Sequence, residues 1–217
     1  MKTLVSWSSG KDSAWMLHAL KQDPSIELGG LLTTMNEQFD RVAMHAVRRS
    51  LVERQAAAAG LPLRTIPLPW PCTNEQYEAL MGAAVAQAVA EGFTHIAFGD
   101  LFLEDVRRYR EERLAGTGLT PIFPVWGIPT DELAARMVDA GLRAILTCVN
   151  PAQLDKSFAG RQFDRSLLAD LPKGVDRCGE RGEFHSFAWD GPMFHRAIDV
   201  TLGEIVERDG YVFADVS

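Results

Sequence analysis

The sequence predicts an α/β fold, with an N-terminal parallel sheet carrying helices on both faces and a smaller C-terminal α+β unit. Three observations carry that expectation. Short apolar runs alternate with longer segments of helical period through the first half of the chain. The alternation breaks at the proline-punctuated stretch Pro121-Ile122-Phe123-Pro124-Val125-Trp126-Gly127-Ile128-Pro129. Near the end, Asp209-Gly210 between two strand-like runs is a hairpin signal. Strand–helix alternation means βαβ units, whose parallel strands are covered on both faces. The break is a candidate hinge and puts the expected division at 1–127 and 128–217.

Each element follows from local pattern. Thr3 to Trp7 reads as a buried strand, and Ser13 to Lys21 as a helix that clusters Ala14, Leu17, His18 and Leu20. Glu27 to Thr34 is a second strand. From about Val42 to Ala59 the chain reads as a helix, with Met44, Val47 and Leu51 at i, i+3 and i+7. Leu63 to Pro67 is a third strand. Thr73, with Gln76 three residues on, forms a capping box for a helix whose Tyr77, Leu80, Met81, Ala84, Val85 and Ala88 share one face. His95 to Gly99 is a fourth strand. Beyond the hinge, Thr130 caps a helix reaching Ala140, and Arg143 to Val149 is another buried strand. Gly203–Arg208 and Tyr211–Ala214 pair through the final turn, and no internal repeat is visible.

Composition narrows the function classes. The chain has 217 residues, 47% hydrophobic and 24% charged, which is ordinary for a globular protein and excludes collagen-like, low-complexity and disordered classes. With 22 Lys+Arg against 29 Asp+Glu the net charge is −7, which argues against a general nucleic-acid binder but leaves room for a local basic pocket. No apolar run approaches the ~20 residues that span a bilayer, so no membrane partner is expected. The first residues reach a polar Ser-Gly-Lys-Asp stretch at once, which does not suit a signal peptide. Cys72, Cys148 and Cys178 are odd in number, far apart and without CxxC or zinc spacing, so a reduced, cytoplasmic protein is expected. The sequence leaves open whether the chain forms a homo-oligomer.

The sharpest local signal is Ser8-Ser9-Gly10-Lys11-Asp12-Ser13, between the first strand and the first helix. A helix N-terminus leaves backbone N–H groups unpaired and carries partial positive charge, so it can surround a phosphate. Lys11 adds a full charge, the three serines add hydroxyls, and Asp12 is placed to hold a Mg²⁺ bridging phosphate oxygens. A serine or aspartate N-cap beside a solvated lysine is the plainer alternative. The position at the first βα turn favours a ligand, because open parallel sheets bind at the carboxyl ends of their strands. Neither the Walker A pattern nor the GxGxxG dinucleotide pattern is present.

Two further segments are rich in polar chemistry. Gly99-Asp100 leads into a run with four arginines and four acidic residues between Glu104 and Arg113, in which Arg108 and Glu112 have the i,i+4 spacing of an exposed ion pair. Downstream, Asp176-Arg177-Cys178-Gly179-Glu180-Arg181-Gly182-Glu183-Phe184-His185-Ser186-Phe187 sets two carboxylates and an imidazole among glycines. A third clear ligand is missing, so zinc is not expected there.

The first loop resembles the SGGxDS loop of the PP-loop ATP pyrophosphatases, an adenine-nucleotide alpha-hydrolase-like fold. Ser9 stands where that loop has its second glycine, and a serine is less suited than glycine to a positive φ. With Glu180-Arg181-Gly182-Glu183-Phe184-His185-Ser186, Asp190-Gly191-Pro192-Met193-Phe194 and Gly118-Leu119-Thr120 leading into Pro124-Val125-Trp126-Gly127, the chain resembles the diphthine–ammonia ligase family. The resemblance implies an enzyme that uses ATP and Mg²⁺ to activate a carboxylate as an acyl-adenylate, releasing pyrophosphate, and lets ammonium displace AMP to leave an amide. It implies catalytic roles for Lys11, Asp12, Glu183 and His185. It puts ATP on Ser8, Ser9, Gly10, Lys11, Asp12 and Ser13, with Asp12 as metal ligand; Thr33, Thr34 and Met35, at the end of the second strand, are placed to receive the adenine or ribose, with a plain strand terminus as the alternative. It puts the acceptor near Gly99, Asp100, Glu104, Arg110, Glu112, Glu180, Gly182 and Glu183. In archaea and eukaryotes the family's acceptor is diphthine, a modified histidine on an elongation factor; a small carboxylate, such as a corrinoid-related one, is the alternative for a bacterial member. Two other classes stay open: a sulfur transferase using Cys148 or Cys178, and an adenine-nucleotide sensor without chemistry.

Overall fold

The computed structural model describes residues 1–42 and 47–217. The first part of the chain forms β1 (Lys2–Ser6), α1 (Lys11–Lys21), β2 (Glu27–Asn36), β3 (Arg41–Val42), α2 (Arg49–Ala59), β4 (Leu63–Leu68), α3 (Asn74–Ala90), β5 (His95–Ala97), α4 (Glu104–Leu114) and β6 (Thr120–Ile122). The second part forms α5 (Thr130–Asp139), β7 (Arg143–Val149), α6 (Arg165–Asp170), β8 (Phe184–Asp190), β9 (Leu202–Arg208) and β10 (Tyr211–Val216).

In β1, Thr3, Leu4 and Val5 are all buried, as expected of a central parallel strand covered on both faces. It pairs in parallel with β2 on one side and β5 on the other; β4 lies beyond β2, and β6 beyond β5. The chain thus builds outward from β1 through β2 and β4, then returns to build outward through β5 and β6. The direction of building reverses between β1 and β5, and in open sheets a crevice forms at that reversal, beyond the strands' carboxyl ends. The loop 8–13 leaves β1 at this point. The second sheet is antiparallel, in the order β8-β7-β10-β9.

Apolar side chains form two clusters on opposite sides of the large sheet. The smaller contains Leu4, Leu32, Ile66, Val85, Ala88, Phe93, Ile96, Phe98 and Leu114 beneath α3 and α4. The larger runs from Val5, Trp7 and Leu17 through Leu51 and Leu133 to Leu146, Phe187 and Val212, so both sheets share it.

The α/β architecture and the appended antiparallel unit agree with expectation, and several local details do not. The large sheet is mixed, because β3 pairs antiparallel with β2 at Met35–Val42. The expected helix from Val42 begins only at Arg49, since Val42 is in a strand; Met44 lies outside the described residues. Helix α1 starts at Lys11, two residues earlier than the apolar pattern suggested, drawing the lysine and aspartate into its first turn. The Thr73–Gln76 capping box is present, yet along α3 only Val85 and Ala88 are buried. Thr130 does not cap α5; Pro129 holds that position, and the threonine hydroxyl donates to Asp176 instead, at 2.6 Å. On α4 the i,i+4 ion pair is Arg107–Glu111 rather than one between Arg108 and Glu112. The closing hairpin forms as expected, with Asp209 (φ 53°) and Gly210 (φ 80°) in its turn.

Candidate active site

Helix α1 begins without a side-chain cap: Gly10 is the N-cap, and the first amide of the helix meets a hydroxyl from the other sheet. That hydroxyl belongs to Ser186 on β8 and accepts the Lys11 N–H at 3.2 Å. Ser13 turns its hydroxyl toward Ser8, at 3.1 Å, and back to the Gly10 carbonyl, at 2.9 Å. Ser9 adopts φ 69°, so the second position of the loop is left-handed even without glycine. Its carbonyl is fixed twice, by the Ala188 N–H at 3.0 Å and by Gln55 Nε2 at 2.9 Å, which holds the strained conformation in place.

Lys11 is buried to 2% exposure. Its ammonium donates to both Asp12 carboxylate oxygens, at 3.0 and 2.8 Å, and to the carbonyl oxygen of Cys178. The rings of Phe184 and Phe163 lie 5.2 and 5.5 Å from it. Burial alone would lower its pKa, but Asp12, with smaller help from Cys178 and Glu180, outweighs burial and holds it above the ordinary lysine value. Lys11 is therefore charged at any physiological pH.

The distal segment folds into a tight loop organised by Asp176, which sequence reasoning did not single out. Asp176 Oδ1 accepts from the Cys178 and Glu180 N–H groups at 2.9 and 3.2 Å. Its own N–H donates to Glu183 Oε1 at 2.9 Å, while Glu183 Oε2 accepts the Arg181 N–H at 3.0 Å. Glu183 thus has both oxygens engaged by the backbone of its own loop. Gly179 (φ 71°) has no room for a side chain, since a Cβ there would lie 2.8 Å from the Phe184 carbonyl oxygen. The loop presents the Cys178 carbonyl to Lys11, and so brings the two sequence motifs together.

Glu180 projects from this loop toward the end of β5, where Oε1 accepts the Leu101 N–H at 2.8 Å. Burial, reinforced by the Asp12 charge and opposed by that N–H, pushes its carboxyl up to about 7. His185 is on β8 between Phe184 and Ser186, the two residues that meet Lys11, so strand alternation sends it to the opposite face. Burial, with the Lys11 charge, lowers it to about 4, leaving a neutral imidazole.

The remaining predicted residues divide. Gly99 sits against the loop: a Cβ there would lie 3.2 Å from the Asp12 and Ser13 backbone. Asp100 accepts two hydrogen bonds from Arg110, at 2.5 and 3.0 Å, and Arg110 stacks over Phe98 at 4.3 Å. Arg110 also borders a cavity of about 500 Å³ between α3 and α4, lined by Tyr77, Met81, Phe98, Tyr109 and Leu114. Glu104 and Glu112 are exposed on α4, and Gly182 (φ 83°) serves the distal turn. Thr34 is half-buried and Met35 is fully buried in the core, whereas the neighbouring Thr33 hydroxyl is buried with no partner. The Ser9 hydroxyl is also buried and unpartnered. Two orphaned hydroxyls, one in the loop beyond β1 and one in the carboxyl-terminal half of β2, fit a site built for an external oxygen-rich ligand.

Gln55 is a second residue that sequence reasoning missed. Fully buried on α2, it accepts the Trp7 indole N–H at 2.8 Å and donates to the Ser9 and Ala188 carbonyls at 2.9 and 2.6 Å. The signal was a lone amide on the buried face Leu51-Val52-Ala56-Ala59 of an alanine-rich helix. Cys148 and Cys178 are buried and unpaired, and burial pushes the Cys148 thiol up to about 12 and Cys178 higher still. Neither has the lowered pKa of a reactive thiol.

Fold and site together define an α/β protein of the PP-loop kind, with its phosphate loop at the switch point and a second motif closing over the loop lysine. Comparison with known proteins narrows this. Family models of the diphthamide synthase N-terminal and C-terminal domains match residues 1–117 and 129–215. The chain belongs to the diphthamide synthase family. It is 28% identical to a diphthine–ammonia ligase of Bos taurus, covering all of this chain and 89% of that protein. It is 29% identical to one of Danio rerio, covering all of this chain and 92% of that protein, and 27% identical to one of Homo sapiens, again over its whole length and 89% of the relative.

Proposed function

We propose that this chain is an ATP-dependent carboxylate–ammonia ligase of the diphthine–ammonia ligase type, releasing AMP and pyrophosphate. The observation that carries the proposal is the buried Lys11 ammonium at the uncapped start of α1, held by Asp12 and by the carbonyl of the distal loop. The amides of α1, the Lys11 charge and the Ser9 hydroxyl form a preorganised field for negative charge, which is what a departing pyrophosphate needs.

In the first step a carboxylate oxygen of the acceptor bonds to the α-phosphorus of ATP, and the bond from that phosphorus to the bridging oxygen breaks. In the second, the nitrogen of ammonia bonds to the acyl carbon, the acyl–oxygen bond to AMP breaks, and nitrogen loses a proton. Glu180, half-buried with its carboxyl near 7, takes that proton; Glu183 has both oxygens engaged and holds the loop instead. Among the described residues no group of three His, Cys, Asp or Glu side chains could hold a metal. One carboxylate plus substrate phosphates is an ordinary Mg²⁺ donor set. Asp12 would hold Mg²⁺ in that way, and the ion would neutralise charge on the pyrophosphate.

The acceptor is proposed to approach along Gly99, Asp100 and Arg110. The relatives' names support diphthine as the acceptor and ammonia as the nitrogen source. Among the described residues no helix is long and apolar enough to cross a membrane. Three free cysteines suit a reducing cytoplasm. The deciding experiment supplies ATP, Mg²⁺ and ammonium with a diphthine-bearing elongation factor or a panel of small carboxylates. AMP and pyrophosphate that appear only with ammonium and one acceptor are expected. Formation of ADP would overturn α–β cleavage, and nucleotide binding without turnover on any acceptor would leave a sensor.

A further inference from the structure

The strand β9 is exposed along its whole length, from Leu202 to Arg208. It is the edge of the small sheet, and among the described residues only β10 pairs with it. Leu202, Ile205 and Val206, with Tyr211 across the hairpin, are four of the eight large apolar side chains left exposed among the described residues. An apolar edge of this kind is a template for another strand.

The register shows what each face offers. Ala214 lies opposite Ile205 and Val216 opposite Leu202, so β9 carries one extra residue at Gly203–Glu204. That bulge puts Leu202 and Ile205 on the same face, and both reach the space beside Gly160, where a Cβ would lie 3.1 and 3.5 Å from them. The opposite face carries Glu204, Val206 and Arg208, with Arg208 over the Phe213 ring at 5.2 Å. Arg208 and Tyr211 flank a two-residue turn and therefore exchange ladder hydrogen bonds. By alternation, the N–H and C=O groups of Ile205 and Glu207 point outward and are free to pair.

We infer that β9 is an interface between two copies of this chain, which join antiparallel about a two-fold axis at Val206. In that register Ile205 of each copy lies opposite Glu207 of the other, so the outward backbone groups meet one another. Val206 meets Val206. Glu204 lies opposite Arg208 of the second copy, twice by symmetry, and no like charges stand directly opposite. The result is an isologous contact that continues the four-stranded sheet into one of eight strands.

Sedimentation velocity over a concentration series tests this. The wild-type chain is expected to move from its 24.0 kDa mass toward twice that value as concentration rises. Arg208→Glu places two acidic groups opposite each other and is expected to leave a monomer, and the double variant Glu204→Arg/Arg208→Glu to restore the dimer. Val206→Lys puts two ammonium groups on the axis and is expected to abolish it; nucleotide binding checks that each variant is folded. A wild-type chain that stays monomeric up to about 1 mM overturns the inference. So does a dimer that survives both single variants, because another surface would then be responsible.

Discussion

At the scale of single residues, the Lys11–Asp12 ion pair dominates. Lys11→Ala removes the loop's charge and leaves the half-buried Asp12 without its partner, so AMP formation is expected to fall by about 10²–10³; an unchanged rate would remove Lys11 from the proposed role. Ser9 makes a finer test. Its left-handed backbone costs a non-glycine residue roughly 1–2 kcal/mol, and its hydroxyl is buried without a partner. Ser9→Gly is expected to raise the melting temperature of the nucleotide-free protein by about 2–4 °C while weakening ATP binding, because the empty site loses strain and the filled site loses a donor. Glu180 sets the pH behaviour. Its carboxyl is raised in the fold, so the folded state holds a proton that the unfolded chain has released between the ordinary glutamate value and about 7, and stability falls as pH rises through that window. His185 acts in the opposite sense: lowered to about 4, it contributes stability above the ordinary histidine value that is lost as pH falls toward 4. The two oppose each other at mildly acid pH. Glu180→Gln is therefore expected to steepen the loss of stability on acidification and to erase the limb of the pH–rate profile near 7. A retained limb would point to another base.

At the scale of elements, Gln55 links α2, Trp7 just beyond β1, the phosphate loop and β8 through three buried hydrogen bonds. Gln55→Leu keeps the bulk and leaves the Trp7 indole and the Ala188 carbonyl without those partners, a loss of about 2–6 kcal/mol at 1–3 kcal/mol for each group. ATP affinity is expected to fall with it, since Ser9 loses one of its two tethers. A urea midpoint and a nucleotide titration, measured on the same sample, separate the two effects. The strand–helix alternation was legible because periodicity reports burial, and burial on both faces of β1 needs only Thr3, Leu4 and Val5 to be small or apolar. The phosphate loop was legible because its residues are adjacent in sequence. Gln55 and Ser186 were not, since their partners Ser9 and Lys11 come from other elements; Asp176 was not, since its oxygen accepts main-chain N–H groups that every residue carries and that leave no mark in the sequence. Val42 misled for a related reason. Its apolar spacing suited a helix, but pairing with the buried Met35 at the end of β2 draws it into a strand.

At the scale of the molecule, both sheets share one apolar cluster, and the loop between β1 and α1 is tied to β8 by Lys11, Ser9 and Gln55. The expected division at 1–127 and 128–217 therefore separates segments that are proposed not to unfold independently. Thermal unfolding followed by far-ultraviolet circular dichroism and by tryptophan fluorescence is expected to give one coincident transition, shifted upward together by ATP. Two separated transitions would show autonomous halves. The tether of Lys11 to the Cys178 carbonyl has a consequence for inheritance. Its acceptor is a main-chain oxygen, which every amino acid carries, so replacing the Cys178 side chain leaves that contact in place. The bond is concealed from substitutions at position 178 that fit its buried place; it is broken at its donor, Lys11, or by changes that move the loop, at Asp176, Gly179 or Glu183. Drift at position 178 is thus limited to side chains that fit its buried place, and among those it can change the thiol while the chemistry next to it stays under constraint.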